Sequence, residues 1–128
     1  MINIKEMEIH NASFKVNHIE GESFNIPAQF GRSIDHINDG RYLLTLTINV
    51  KNEKDKPFPF DLECAINAYF ECDNNETEDE AKKYIAEEGT AIVFPYLRSY
   101  ISTLTSASMI PPLVLPIIDL AKIFDDKL

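Results

Sequence analysis

The sequence predicts an α+β fold: a four-stranded antiparallel sheet, then a long helix, an apolar loop and a short C-terminal helix. Three observations point there. Apolar residues alternate with period two through Phe70. The period lengthens to that of a helix beyond Thr77. A proline-studded apolar run, "MIPPLVLP" at Met109–Pro116, then rules out a helix where it falls. With 128 residues, 45% of them hydrophobic, the chain suits one domain, residues 1–128, with a sizeable core.

The strands follow in order. Met7 and Ile9 share one parity, whereas Ala12, Phe14 and Val16 share the other, so a bulge near His10–Asn11 is needed to keep one face apolar. Ile26, Ala28, Phe30 and Ile34 suggest a second strand ahead of the turn sequence "NDG" at Asn38–Gly40. Tyr42, Leu44, Leu46, Ile48 and Val50 form the apolar side of a third strand. The charged "KNEKDKP" reads as a turn, after which Phe58, Phe60, Leu62, Cys64, Ile66, Ala68 and Phe70 repeat the alternation, which makes an antiparallel hairpin.

The rest is helical in period. Thr77 with Glu80 three residues on resembles a capping box, acidic residues crowd the start, and Gly89 is the expected stop of a first, acidic helix. From Thr90, Ile92, Val93, Tyr96, Leu97, Tyr100, Ile101 and Leu104 mark an amphipathic helix, which Pro95 either opens or kinks. Ser102, Thr103 and Ser106 take its opposite side. Ile117, Leu120, Ile123 and Phe124 place a short final helix after the loop.

Composition excludes several functions. A net charge of −9 disfavours nucleic acid, whose phosphates need Lys and Arg. Ile110–Ile118 is too short to span a bilayer, which takes roughly 20 apolar residues, and the acidic N-terminus lacks a secretory h-region, so a cytoplasmic location without membrane insertion is expected. Cys64 and Cys72 fall on one strand, about 26 Å apart at strand rise, beyond disulfide reach. His10, His18 and His36 form no ligand-spaced set, and the serines sit in no nucleophile elbow, so no metal, cofactor or catalytic residue is expected. Asp61, Glu63 and Glu71 line the polar side of the fourth strand, either as a solvated face or as a docking surface for a basic partner.

"GTAIVFPYLRSYISTLTSASMIPPLVLPIIDLAKIF" resembles the C-terminal signature of SecB-type export chaperones. The matching positions are Phe94, Pro95, Tyr96 and Arg98, then Ile110, Pro111, Leu113, Leu115 and Pro116, then Ile123 and Phe124. They cover about the last third of the chain, and the earlier part agrees in strand order and in the acidic strand holding Leu62, Glu63 and Cys64. The sequence departs from the export type at Leu97, where alanine is common, in an inserted-looking acidic helix at Thr77–Glu88, and in a tail that stops at Leu128.

The resemblance implies a non-enzymatic, ATP-independent holdase for unfolded or nascent chains, assembled as a homotetramer through the long helix. Clients would be export substrates passed to the SecA motor, or an antitoxin. The residues expected to touch clients are Phe94, Tyr100, Leu104, Met109, Ile110, Leu113, Leu115, Ile118, Ile123 and Phe124. Leu97 and Ile101 are expected to carry assembly, and Asp61 and Glu63 to dock the partner. The rival readings are a hot-dog-type, thioesterase-like enzyme, whose central helix would precede most of the strands, and an oligomerising domain without clients.

Overall fold

The computed structural model describes residues 2–17, 28–55, 57–73 and 75–107. Strands β1 (Ile2–Val16), β2 (Ala28–Asn38), β3 (Arg41–Val50) and β4 (Phe60–Cys72) form one sheet. Its order is β1-β4-β3-β2, and every neighbouring pair is antiparallel. Two hairpins therefore build β2–β3–β4, and β1 adds across β4. All four strands precede the helix, the reverse of the hot-dog order. The expected Ile26, apolar loop and final helix lie outside the described residues.

The core is made where the alternations of β3 and β4 meet. Tyr42, Leu44, Leu46, Ile48 and Val50 stand opposite Phe70, Ala68, Ile66, Cys64 and Leu62, and all ten are buried. Each large side chain removed from water here contributes about 1.5–3 kcal/mol. The parity break in β1 is real: its pairing with β4 slips between Ile9 and Asn11, and again between Ile4 and Glu6. At the β2–β3 turn Gly40 has φ +72°, and a Cβ there would come within 2.6 Å of the Cys72 carbonyl oxygen. Glycine alone suits both demands.

The helix differs from expectation. α1 (Glu78–Tyr84), a π turn (Ile85–Gly89) and α2 (Thr90–Ala107) run on without a break. Thr77 caps the start as predicted, its hydroxyl oxygen accepting from the Glu80 N–H at 3.2 Å. Gly89 does not stop the helix. It is buried inside the π turn, where a Cβ would lie 2.9 Å from Phe70 Cζ, so this glycine serves close helix–sheet approach. The Thr90 N–H bonds back to the Ile85 carbonyl, one residue further than in an α turn. The acidic segment is thus the first part of the long helix and no separate element. Pro95 lies inside α2 on its exposed side, where the carbonyl it leaves without a donor can face water.

The inward face of β2 meets this helix in register. Arg32 pairs with Leu46 and His36 with Tyr42, so both point to the core side. Phe30 packs on Phe94 with ring centroids 6.0 Å apart. Arg32 Nη1 donates to the Ala86 carbonyl at 2.7 Å and to Thr90 Oγ1 at 3.2 Å. His36 Nδ1 lies 2.5 Å from Glu78 Oε1. Four strand residues and eight helix residues both span about 12–13 Å, which is why contacts rising along the helix fall back along β2.

Candidate functional site

α2 presents two faces. Thr90, Val93, Phe94, Leu97, Ile101 and Thr105 are buried against the sheet. The buried Thr105 satisfies its hydroxyl by donating to the Ile101 carbonyl at 2.9 Å. The opposite side carries Ile92, Tyr96, Ser99 and Thr103, all exposed, with Ile92 at 44% and Tyr96 at 55%. Their spacing of four, three and four residues keeps them in one stripe. Tyr100 and Leu104 lie between the faces, half-buried against the core.

Two expected roles change with this placement. Leu97 and Ile101 are each 0% exposed within their own chain, so they have no surface left for a second copy. Phe94, at 4%, is packed on Phe30 and equally closed to a client. The helical period placed Ile92, Val93, Tyr96 and Leu97 together on the apolar side of an amphipathic helix. The sheet takes Val93 and Leu97 and leaves Ile92 and Tyr96 outside. Tyr100 and Leu104 keep partial access. Met109, Ile110, Leu113, Leu115, Ile118, Ile123 and Phe124 lie outside the described residues.

The apolar face expected of β1 is present, but its partial exposure was not legible in the sequence. Ile2, Ile4, Met7, Ile9 and Phe14 of β1 pack against the core but remain only partly buried. Among the described residues, α2 packs on β3 and β4, and these β1 side chains stay partly exposed beside it. The alternation of β1 did carry the face itself, blurred by its two register slips.

On the outer side of the sheet, Asp61 and Glu63 part company. Asp61 Oδ1 accepts from the Asn52 N–H at 2.8 Å and from Asn17 Nδ2 at 2.9 Å. These bonds, the Asn52 one foremost, hold its carboxyl below the usual carboxylate range. Asn52 Oδ1 in turn accepts the Phe58 N–H at 2.9 Å. Asp61 is thereby committed to folding the β3–β4 loop, whereas Glu63 stays exposed. Further along this face, Thr45 donates to Asn67 Oδ1 at 2.8 Å and the Tyr69 hydroxyl donates to Glu8 Oε1 at 3.0 Å. That bond to Glu8 keeps the Tyr69 proton on and raises its pKa.

Burial pushes the Cys64 thiol up to about 11, and burial is also the main cause that raises Cys72. Among the described residues, no group of three His, Cys, Asp or Glu side chains is placed to hold a metal ion, and no helix is long and apolar enough to cross a membrane.

An antiparallel sheet backed by one long helix, with apolar side chains left exposed on the helix and half-exposed on an edge strand, defines a class of sheet-and-helix α+β domains. The chain belongs to the SecB family, described as preprotein translocase subunit SecB, whose family model matches residues 2–128. It is 27% identical over 89 residues to the protein-export protein SecB of Anaplasma phagocytophilum (strain HZ), covering 68% of this chain and 56% of that protein. It is 32% identical over 82 residues to Uncharacterized protein MJ0357 of Methanocaldococcus jannaschii, covering 63% of this chain and 52% of that protein. The chain thus spans about half the length of these two relatives. The fold matches that of the Mycobacterium tuberculosis Rv1957 SecB-like chaperone, solved in complex with a ChAD peptide from the Rv1956 HigA1 antitoxin. The TM-score is 0.79 at 18% identity, covering 92% of this chain and 91% of that one.

Proposed function

We propose that this protein is an ATP-independent holdase that binds unfolded or nascent polypeptides in the cytoplasm, without enzymatic activity. The observation that carries the reading is the apolar surface that the described residues leave beside a buried core. Met7, Ile9 and Phe14 are half open on β1, and Tyr100 and Leu104 keep partial access on α2. Unfolded chains expose apolar segments of many sequences, and aromatic and methionine side chains accept them without fixed hydrogen-bond demands. Family membership supports the same reading.

Within it, Tyr100 and Leu104 contact clients, together with Met109, Ile110, Leu113, Leu115, Ile118, Ile123 and Phe124. The homotetramer forms through the outward stripe of Ile92, Tyr96, Ser99 and Thr103, which takes the place of Leu97 and Ile101. Glu63, with its carboxylate uncommitted to the loop, is the better docking residue for a basic partner such as the SecA motor.

Delivery for export is favoured by the likeness to the Anaplasma export protein. A second reading, service to an antitoxin, draws on the likeness to the Mycobacterium chaperone that holds an antitoxin peptide. Co-purification from the native host separates the two, because it returns preproteins with the motor in one case and an antitoxin in the other. The holdase reading is tested by light scattering and by aggregation of an unfolded protein. A monomer that fails to suppress aggregation overturns it.

A further inference from the structure

The two parts of the long helix are held to the sheet by different forces. Thr90–Ala107 is held by burial, with Val93, Leu97, Ile101 and Thr105 at 0% exposure. Glu78–Tyr84 buries one side chain, Ala81. Its tie to the sheet is polar: His36 Nδ1 lies 2.5 Å from Glu78 Oε1, and the His36 ring is itself stacked on Tyr42 at 4.7 Å. Between the two parts lies the π turn, whose longer hydrogen-bonded rings make it the natural place for a helix to bend. Arg32 braces that turn from β2 through the Ala86 carbonyl and Thr90 Oγ1. Ile85 and Gly89 anchor it, both buried, the glycine against Phe70.

We propose that the π turn at Ile85–Gly89 is a hinge and the His36–Glu78 contact its catch, so that Glu78–Tyr84 lifts from the end of β2 and, too short to keep its hydrogen bonds alone, unwinds while Thr90–Ala107 stays docked. The segment has little burial to lose, so its opening lies at the low end of local stabilities. The opening runs beside the outer edge of β2, which among the described residues pairs with β3 alone. In the holdase reading the hinge widens access for an extended client to the inner side of that edge strand. This use rests on that reading, whereas the hinge itself does not.

Hydrogen exchange of the full chain tests the hinge. Simple fraying gives protection that rises smoothly from Lys82 into α2. The hinge gives a step, with amides of Lys82–Ala86 exchanging about tenfold faster, as a block, than those of Val93–Ile101. The variant His36→Ala, at an exposed position, is expected to speed the first block about fivefold further and to leave the second within about twofold. Uniform protection across the π turn, a smooth gradient, or equal acceleration of both blocks overturns the hinge. Repeating the measurement with a reduced, carboxymethylated unfolded protein tests the use. Faster exchange at Lys82–Ala86 in the complex supports it, and a bound client that leaves this block unchanged overturns it. Absence of any client binding sinks the holdase reading and leaves the hinge result standing.

Discussion

Gly89 and Phe70 are in such close contact that a Cβ on the glycine would come within 2.9 Å of the ring's Cζ and within 3.3 Å of Ile85 Cγ2. Helix and sheet approach each other here because one residue has no side chain, and Phe70 is 2% exposed, held within the core.

The variant Gly89→Ala sets two effects against each other. Alanine gains about 1 kcal/mol of helix propensity over glycine. Overpacking a closed core costs about 1–3 kcal/mol. The expected net result is a loss, read as a lower urea midpoint at unchanged m-value. A higher midpoint would show that the contact relaxes at no cost.

Leu97→Ala and Ile101→Ala are expected to lower stability by about 2–5 kcal/mol, because each empties a fully buried site. Ile92→Asp and Tyr96→Asp are expected to leave folding within about 1 kcal/mol, as surface changes do, and to disrupt assembly. Sedimentation paired with denaturation separates the sets. Intact oligomers in both aspartate variants would remove the outward stripe from the assembly proposal.

Asp61→Ala is expected to cost about 1 kcal/mol, below the usual range for hydrogen bonds to a charged group, because the site is half exposed to water. The pH dependence has a definite sign. The folded-state pKa of Asp61 is lowered from 3.8, so its contribution is complete above that value and is lost as pH falls through the folded pKa. The variant should therefore lie below the native protein near neutrality and converge on it in acid. A constant gap down to strongly acidic pH would contradict the bonds to Asn52 and Asn17.

Thiol labelling of the native protein at mildly alkaline pH should modify Cys72 first and leave Cys64 untouched until unfolding. Cys64 is fully buried with its thiol pushed up to about 11, whereas Cys72 is partly exposed. Equal labelling rates in native buffer would mean that β4 opens readily.

The sheet could be read from the residues because a half-buried strand writes its own alternation. Tyr42–Val50 and Leu62–Phe70 did so without ambiguity, and even the bulge beside His10 left a parity break. The helix was legible in period but not in its joints. Gly89 looked like a terminator because local propensity says so, and it proved to be a spacer because Phe70, far away in sequence, occupies the place of its side chain. Asp61 and Glu63 looked equivalent on an acidic strand, and only a loop folded back onto the strand, bringing Asn52 to one of them, tells them apart.

By itself, then, the sequence determined the strands and their alternation, the cap at Thr77, the apolar character of α2 and the motif that marks the SecB family. Those properties are local, set by side-chain period and backbone chemistry over a few residues. The tertiary structure decided which apolar residues are core and which are surface. Leu97 and Tyr96 are neighbours with the same pattern value, and they differ because a helix can turn only about a third of its circumference toward a sheet. Which third it turns is set by Phe30, Arg32 and His36 on a strand remote in sequence, through contacts that no periodicity records.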